Sequence, residues 1–115
     1  MGIVPIWFDE RRTVNYTSDV AATGIAPALE DVLAALSDPV RLQIVRTLAA
    51  DPGGRPCGSF RLPVTKSTAS HHFRVLREAG VIDQEERGRT RHTKLRRDEL
   101  DQRFPGLLEL VLREP

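Results

Sequence analysis

The side chains best suited to chemistry lie in Thr65-Lys-Ser-Thr-Ala-Ser-His-His-Phe-Arg-Val-Leu-Arg-Glu-Ala-Gly80, and the chemistry they suit is hydrogen bonding to bases and phosphates. On a helical wheel of about 100° per residue, Ala69, His72, Phe73, Leu76 and Ala79 share one face. Ser67, Ser70, His71 and Arg74 share the other. Ordinary exposed helix faces are dominated by Glu and Lys, whereas this one offers short hydroxyls, an imidazole and a guanidinium. Such a helix packs inward and lays its outer side in a major groove. Thr65 or Ser67 can cap its start, and Gly80 supplies a C-terminal stop.

Charge points the same way. Residues 55–97 hold eleven Lys/Arg (Arg55, Arg61, Lys66, Arg74, Arg77, Arg87, Arg89, Arg91, Lys94, Arg96 and Arg97) against four acids (Glu78, Asp83, Glu85 and Glu86). That segment carries +7 and the remainder −6, although the chain as a whole is only +1. A chain so polarised presents one basic region to phosphates. Arg outnumbers Lys fifteen to two, and Arg is the better bidentate ligand for phosphate and guanine.

With 115 residues there is room for one modest core. No apolar run is long enough to cross a bilayer, and the longest, residues 107–112, is interrupted by Glu109. Residues 1–8 lack a basic flank and are followed by Asp9 and Glu10, which argues against a secretory signal; Ile6 argues against myristoylation. The single cysteine, Cys57, cannot form an internal disulfide, in keeping with a reducing cytoplasm. These features predict a cytoplasmic protein with no membrane partner.

The elements that must position the two-faced helix follow from periodicity and punctuation. Residues 1–24 show no sustained period and read as an arm, partly disordered, in which Ile6, Trp7 and Phe8 are the segment best able to pack. A domain spans residues 25–113. Leu29, Val32, Leu33 and Leu36 predict a first helix over 25–36. Ser37 or Asp38 caps a second, with Pro39 at its first position and Leu42, Val45 and Leu48 along its face. Asp51-Pro52-Gly53-Gly54 ends it. Cys57–Leu62 has room for one or two turns. Beyond Gly80, residues 81–86 and 90–95 are predicted to pair as a hairpin across Arg87-Gly88-Arg89. Asp98 can cap a last helix toward Glu114, interrupted at Pro105-Gly106. The predicted fold is mainly α with a small antiparallel hairpin, in the order of a winged helix-turn-helix.

Leu36-Ser-Asp-Pro-Val-Arg-Leu-Gln-Ile-Val, followed by Ser67-Thr-Ala-Ser-His-His-Phe-Arg-Val-Leu-Arg-Glu-Ala-Gly-Val-Ile, resembles the ArsR family of bacterial winged-helix repressors over about residues 27–112. The resemblance implies a homodimer that sits on double-stranded operator DNA and blocks transcription. It places Thr65, Lys66, Ser67, Ser70 and His71 at the major groove and Arg74 on flanking phosphates. It makes the segment from Arg87 through Arg89 to Arg91 the wing. It also implies a dimer interface on the first and last helices, here Leu29, Val32, Leu33, Leu36, Leu107, Leu108, Val111 and Leu112. His72, on the inner side of the wheel, is expected to pack.

Many members of that family sense metals, and this sequence departs from both common patterns. The thiolate type needs two or more cysteines; here Cys57 stands alone, too few for As(III) or for a tetrahedral zinc site within one subunit. The second type needs His on the last helix, and residues 98–114 contain none. His92, the remaining candidate, lies among Arg91, Lys94 and Arg96. The expectation is therefore no metal, no cofactor, and an inducer the sequence does not name. Cys57 reads first as a small packing residue and second as a thiol sensor beside Arg55 and Arg61. There is no nucleophile elbow and no glycine-rich phosphate loop, so an enzyme is not expected. The alternative from another class is a winged helix used to bind proteins, which should expose aromatics or Leu rather than Ser, His and Arg on this face.

Overall fold

The computed structural model describes residues 27–114, so the arm, with Ile6, Trp7 and Phe8, lies outside the described residues. Among them are five α-helices and a three-stranded sheet. Helix α1 spans Leu29–Leu36, α2 Pro39–Ala49, α3 Lys66–Glu78, α4 Arg97–Arg103 and α5 Leu107–Arg113. Strand β1 is Arg55–Pro56, β2 is Ile82–Arg87 and β3 is Thr90–Leu95, in the spatial order β1-β3-β2.

The α1–α2 corner is built by its polar residues. Glu30 and Asp31 sit in the first turn of α1, where carboxylates oppose the positive end of the helix dipole. Asp38 caps α2, its Oδ2 accepting from the backbone N–H groups of Val40 at 2.9 Å and Arg41 at 3.0 Å. Those bonds, the Arg41 amide first, hold the Asp38 carboxyl below the usual value near 3.8. Pro39 occupies the first turn, where its missing N–H costs nothing.

The sheet departs from the expected hairpin, because β1 adds a third strand, pairing antiparallel with β3 through Arg55–Thr93 and Pro56–His92. Two residues are too few to show a period, so nothing in the sequence marked this strand. Pro56 is tolerated since β1 lies at the sheet edge. The wing is shifted and not lengthened: β2 runs Ile82–Arg87 instead of 81–86 and still has six residues. Arg87 pairs with Thr90, leaving Gly88-Arg89 as a two-residue turn with Gly88 at φ +63°. Glycine in the first central position, with only glycines at positive φ, is the type II′ pattern.

The core gathers Val32, Ala35 and Leu36 from α1, Ile44, Val45 and Leu48 from α2, Phe73 and Leu76 from α3, then Val81, Ile82, Leu95, Leu100 and Leu108. This corrects part of the expected dimer surface. Val32, Leu36 and Leu108 are 0 %, 6 % and 1 % exposed, so they stabilise the protomer and have no surface left for a partner. Leu107, Val111 and Leu112 are half-buried against the same core. Leu29 and Leu33 do remain exposed, joined by Leu110, which lies outside the expected set.

Three boundaries also shift. The first helix begins at Leu29 rather than residue 25, with Ala28 extended before it. The segment Cys57–Leu62 forms a single 3-10 turn, Cys57–Ser59, because Gly58 within it weakens helix formation and Pro63 prevents its continuation. Asp98 lies inside the first turn of α4, and the N-cap is Arg96, whose buried guanidinium is bonded through Nε to Glu99 at 2.9 Å. Pro105-Gly106 separates α4 from α5, with Gly106 at φ +86°.

Candidate nucleic-acid interface

Helix α3 is fixed at both ends by short-range bonds. Thr65 is its N-cap, with Oγ1 accepting from the Thr68 amide at 3.2 Å and donating to Thr68 Oγ1 at 2.9 Å. At the other end the amides of Gly80 and Val81 donate to the carbonyls of Arg77 and Leu76, at 3.0 and 2.9 Å. That pair is a Schellman closure, and it requires the left-handed φ of +82° found at Gly80. The chain at Pro27 passes so close that a Cβ on Gly80 would meet its backbone at 3.0 Å.

The inner face of α3 is apolar, with one polar exception. Phe73 meets Phe60 edge-to-face at a centroid distance of 5.1 Å, which anchors the 3-10 segment to the helix. His72 is buried as expected of a packing histidine. Its Nδ1 lies 3.0 Å from an Arg41 guanidinium nitrogen, and since Arg has only donors, Nδ1 accepts. Arg41 Nε also donates to the Ala35 carbonyl at 2.7 Å, so one guanidinium joins the end of α1 to the inside of α3. In the sequence this role of Arg41 is marked only by its position among the apolar residues of α2.

The outer face presents Lys66, Ser67, Ser70, His71 and Arg74, all exposed. Thr65 is exposed too, but its hydroxyl is committed to the cap. Across from them stands the wing. A cleft of about 380 Å³ runs between α3 and the sheet, and Ser67, Ser70, His71, Arg74 and the wing's Arg91 line it together. Cys57, Phe73, Arg77 and Gln84 complete its lining. Arg77 and Gln84 were absent from the sequence-predicted site. Arg77 NH1 donates to Gln84 Oε1 at 3.2 Å, and Gln84 Nε2 donates to the buried Thr93 hydroxyl at 3.1 Å. This relay braces the helix against both wing strands. Its signal was faint: Arg77 follows Arg74 by three residues and so continues the same stripe.

The wing arginines are not equivalent. Arg87 pairs with Glu85 at 2.7 Å and Arg91 with Glu86 at 3.4 Å, while Arg89 at the tip has no ionic partner among the described residues. Such exposed pairs hold weakly and can exchange for a phosphate. His92 is turned away from this cleft, its Nε2 2.8 Å from the Gly53 carbonyl. Cys57 is half-buried on the core, and the Arg55 guanidinium beside it is engaged by Ser59 and stacked 5.2 Å over Phe60. Among the described residues no three His, Cys, Asp or Glu side chains gather as metal ligands, and no helix is long and apolar enough to cross a membrane.

An exposed polar helix seated on a helical core, followed by a cationic hairpin, defines the winged helix-turn-helix class. A helix-turn-helix domain model matches residues 36–85. An uncharacterized HTH-type transcriptional regulator of Bacillus subtilis (strain 168), YceK, is 40 % identical over 82 residues, covering 70 % of this chain and 82 % of that protein. Among solved structures, an ArsR-like transcriptional regulator from Rhodococcus sp. RHA1 superposes with TM-score 0.59 at 27 % identity, over 71 % of this chain and 77 % of that one. A protein described as a "possible transcriptional regulator for arsenical resistance" gives 0.54 at 28 %, over 74 % and 97 %. The repressor BigR from Xylella fastidiosa shares the fold, with TM-score 0.55 at 23 % identity over 90 % and 96 %.

The chain belongs to the ArsR-like family of winged helix-turn-helix transcriptional regulators. It is a DNA-binding transcription regulator.

Proposed function

We propose that this chain is a homodimeric, cytoplasmic repressor without catalytic activity, whose folded unit runs from residue 25 to 113. Helix α3 enters the major groove of the operator with Lys66, Ser67, Ser70 and His71, and Arg74 reaches the flanking phosphates. The wing, through Arg87, Arg89 and Arg91, follows the backbone into the adjacent minor groove. The observation that carries this reading is the division of α3: Phe73, Leu76 and His72 are locked inward, while Ser67, Ser70, His71 and Arg74 face a cleft shared with Arg91. Leu29, Leu33 and Leu110, 45 %, 48 % and 56 % exposed on the first and last helices, supply the surface for a second copy. Release depends on a signal other than a metal held in the family's cysteine or last-helix sites, because Cys57 is the only cysteine and residues 98–114 contain no histidine.

The test separates specifying contacts from positioning ones on a duplex selected by the purified protein. His71→Ala and Ser70→Ala should each lose about 1–3 kcal/mol on that duplex and almost nothing on random DNA. Arg89→Ala should weaken both and lower the salt slope by about one. Equal losses on both DNAs for all three variants would refute the assignment of faces.

A further inference from the structure

The cleft between α3 and the wing extends behind the residues assigned to DNA, and its inner wall has unused binding capacity. Nine residues line it, including the three guanidinium groups of Arg74, Arg77 and Arg91 and no carboxylate. Arg77 is the deeper of the three, half-buried where Arg74 and Arg91 are exposed. A guanidinium has five N–H donors. Of those on Arg77, only NH1 has an acceptor, the Gln84 amide oxygen, and the others are not sealed from solvent. Gln84 is itself held by Thr93, so Arg77 is oriented before any ligand arrives. Ser70 and His71 add donors on the helix side.

From this arrangement we infer that the cleft is an effector site for a compact tetrahedral dianion, a phosphate or phosphate monoester, which displaces the operator. The inference rests on the DNA-binding reading above. The phosphodiester backbone of a duplex carries one charge per phosphate, against two on a free phosphate or monoester, and it meets the exposed Arg74 and Arg91 before the half-buried Arg77. A free dianion reaches all three guanidiniums and takes the outer two away from DNA, because charge-assisted, bidentate pairing strengthens with each added donor pair. Binding of the dianion and of the operator is then mutually exclusive, and the anion acts as an inducer without any change of fold.

The test uses the full chain and inorganic phosphate at constant ionic strength, with chloride as the balancing ion. Phosphorus NMR without DNA reports direct binding. Fluorescence anisotropy of a labelled duplex reports displacement, expressed as the fold-weakening of each variant's own DNA affinity. A site with Kd of about 1 mM, filled at about 10 mM, weakens competed DNA binding about tenfold. We expect that result for the wild type and for Arg97→Gln, which lies on α4 outside the cleft. Arg77→Gln should show neither phosphorus line broadening nor displacement, and Arg74→Gln should lose most of both, which keeps the test valid if the first variant folds poorly. Phosphate that displaces DNA no better than chloride, or that acts equally on Arg77→Gln and wild type, overturns the inference. So does phosphate that binds without displacing DNA. A wild type that binds phosphate through Arg77 but binds no duplex would instead overturn the DNA reading and leave the anion site standing.

Discussion

Leu110→Glu is the perturbation that most directly tests whether two copies meet through α5, as proposed. Leu110 is 56 % exposed on α5, so about half its side chain is still available for burial. Fully burying a leucine is worth about 1.5–3 kcal/mol, so the remaining half contributes about 1 kcal/mol. A twofold interface uses the residue twice, for about 2 kcal/mol per dimer. At about 1.4 kcal/mol per decade, removing it weakens dimerisation about thirtyfold. The carboxylate's own desolvation adds to that, so thirtyfold is a lower bound. Leu108 makes the contrast. It is 1 % exposed two residues earlier, and Leu108→Ala should cost about 2–5 kcal/mol of folding stability instead. Sedimentation equilibrium across a micromolar series, with circular dichroism to confirm the fold, reads both effects. A Leu110→Glu protein that sediments like wild type, with an unchanged dissociation constant, would refute the placement of the interface on α5.

The other predictions concern the corners that hold the site. Gly80→Ala should destabilise by about 2–4 kcal/mol, combining about 1–2 kcal/mol of left-handed strain with displacement of Pro27, which its Cβ would meet at 3.0 Å. Gly88→Ala, with open space around it, should cost only the backbone strain of its own φ of +63°, and a Gly80→Ala loss of no more than about 1–2 kcal/mol in urea denaturation would show that Pro27 yields freely. Asp38→Ala should cost about 1 kcal/mol at pH 7 as a lost cap. Because the folded Asp38 pKa lies below its ordinary value near 3.8, that contribution is present above about pH 4 and disappears as pH falls through the folded value. A wild-type-to-variant gap that persists undiminished to pH 3 would contradict the assignment. Zinc, cadmium or arsenite at low micromolar concentration should leave the DNA complex intact, and a one-per-subunit metal titration would reverse that view. Cys57→Ala should respond to peroxide as wild type does, since the thiol packs on the core; selective protection of DNA binding in the variant would make Cys57 a sensor.

Much of this protein is written locally. The wheel of α3 separates its two faces because a helix must repeat about every 3.6 residues, and the structure buries His72, Phe73 and Leu76 on the side so marked. Asp38-Pro39, Thr65 and Gly80 punctuate their helices because caps and left-handed turns depend on a residue's own side chain and its nearest amides. The wing follows from Gly88 between two runs that pair in one register. What tertiary structure alone decided are the matters of competition and distance. Leu108 and Leu110 are both leucines on one short helix, yet one fills the core and the other faces solvent, because packing into the common core chooses the face. Strand β1 exists only because β3 offers Arg55 and Pro56 an edge. The Arg41–His72 contact and the Arg77–Gln84–Thr93 relay join residues that no period connects. They form because a buried polar group must find a partner wherever the fold brings one near.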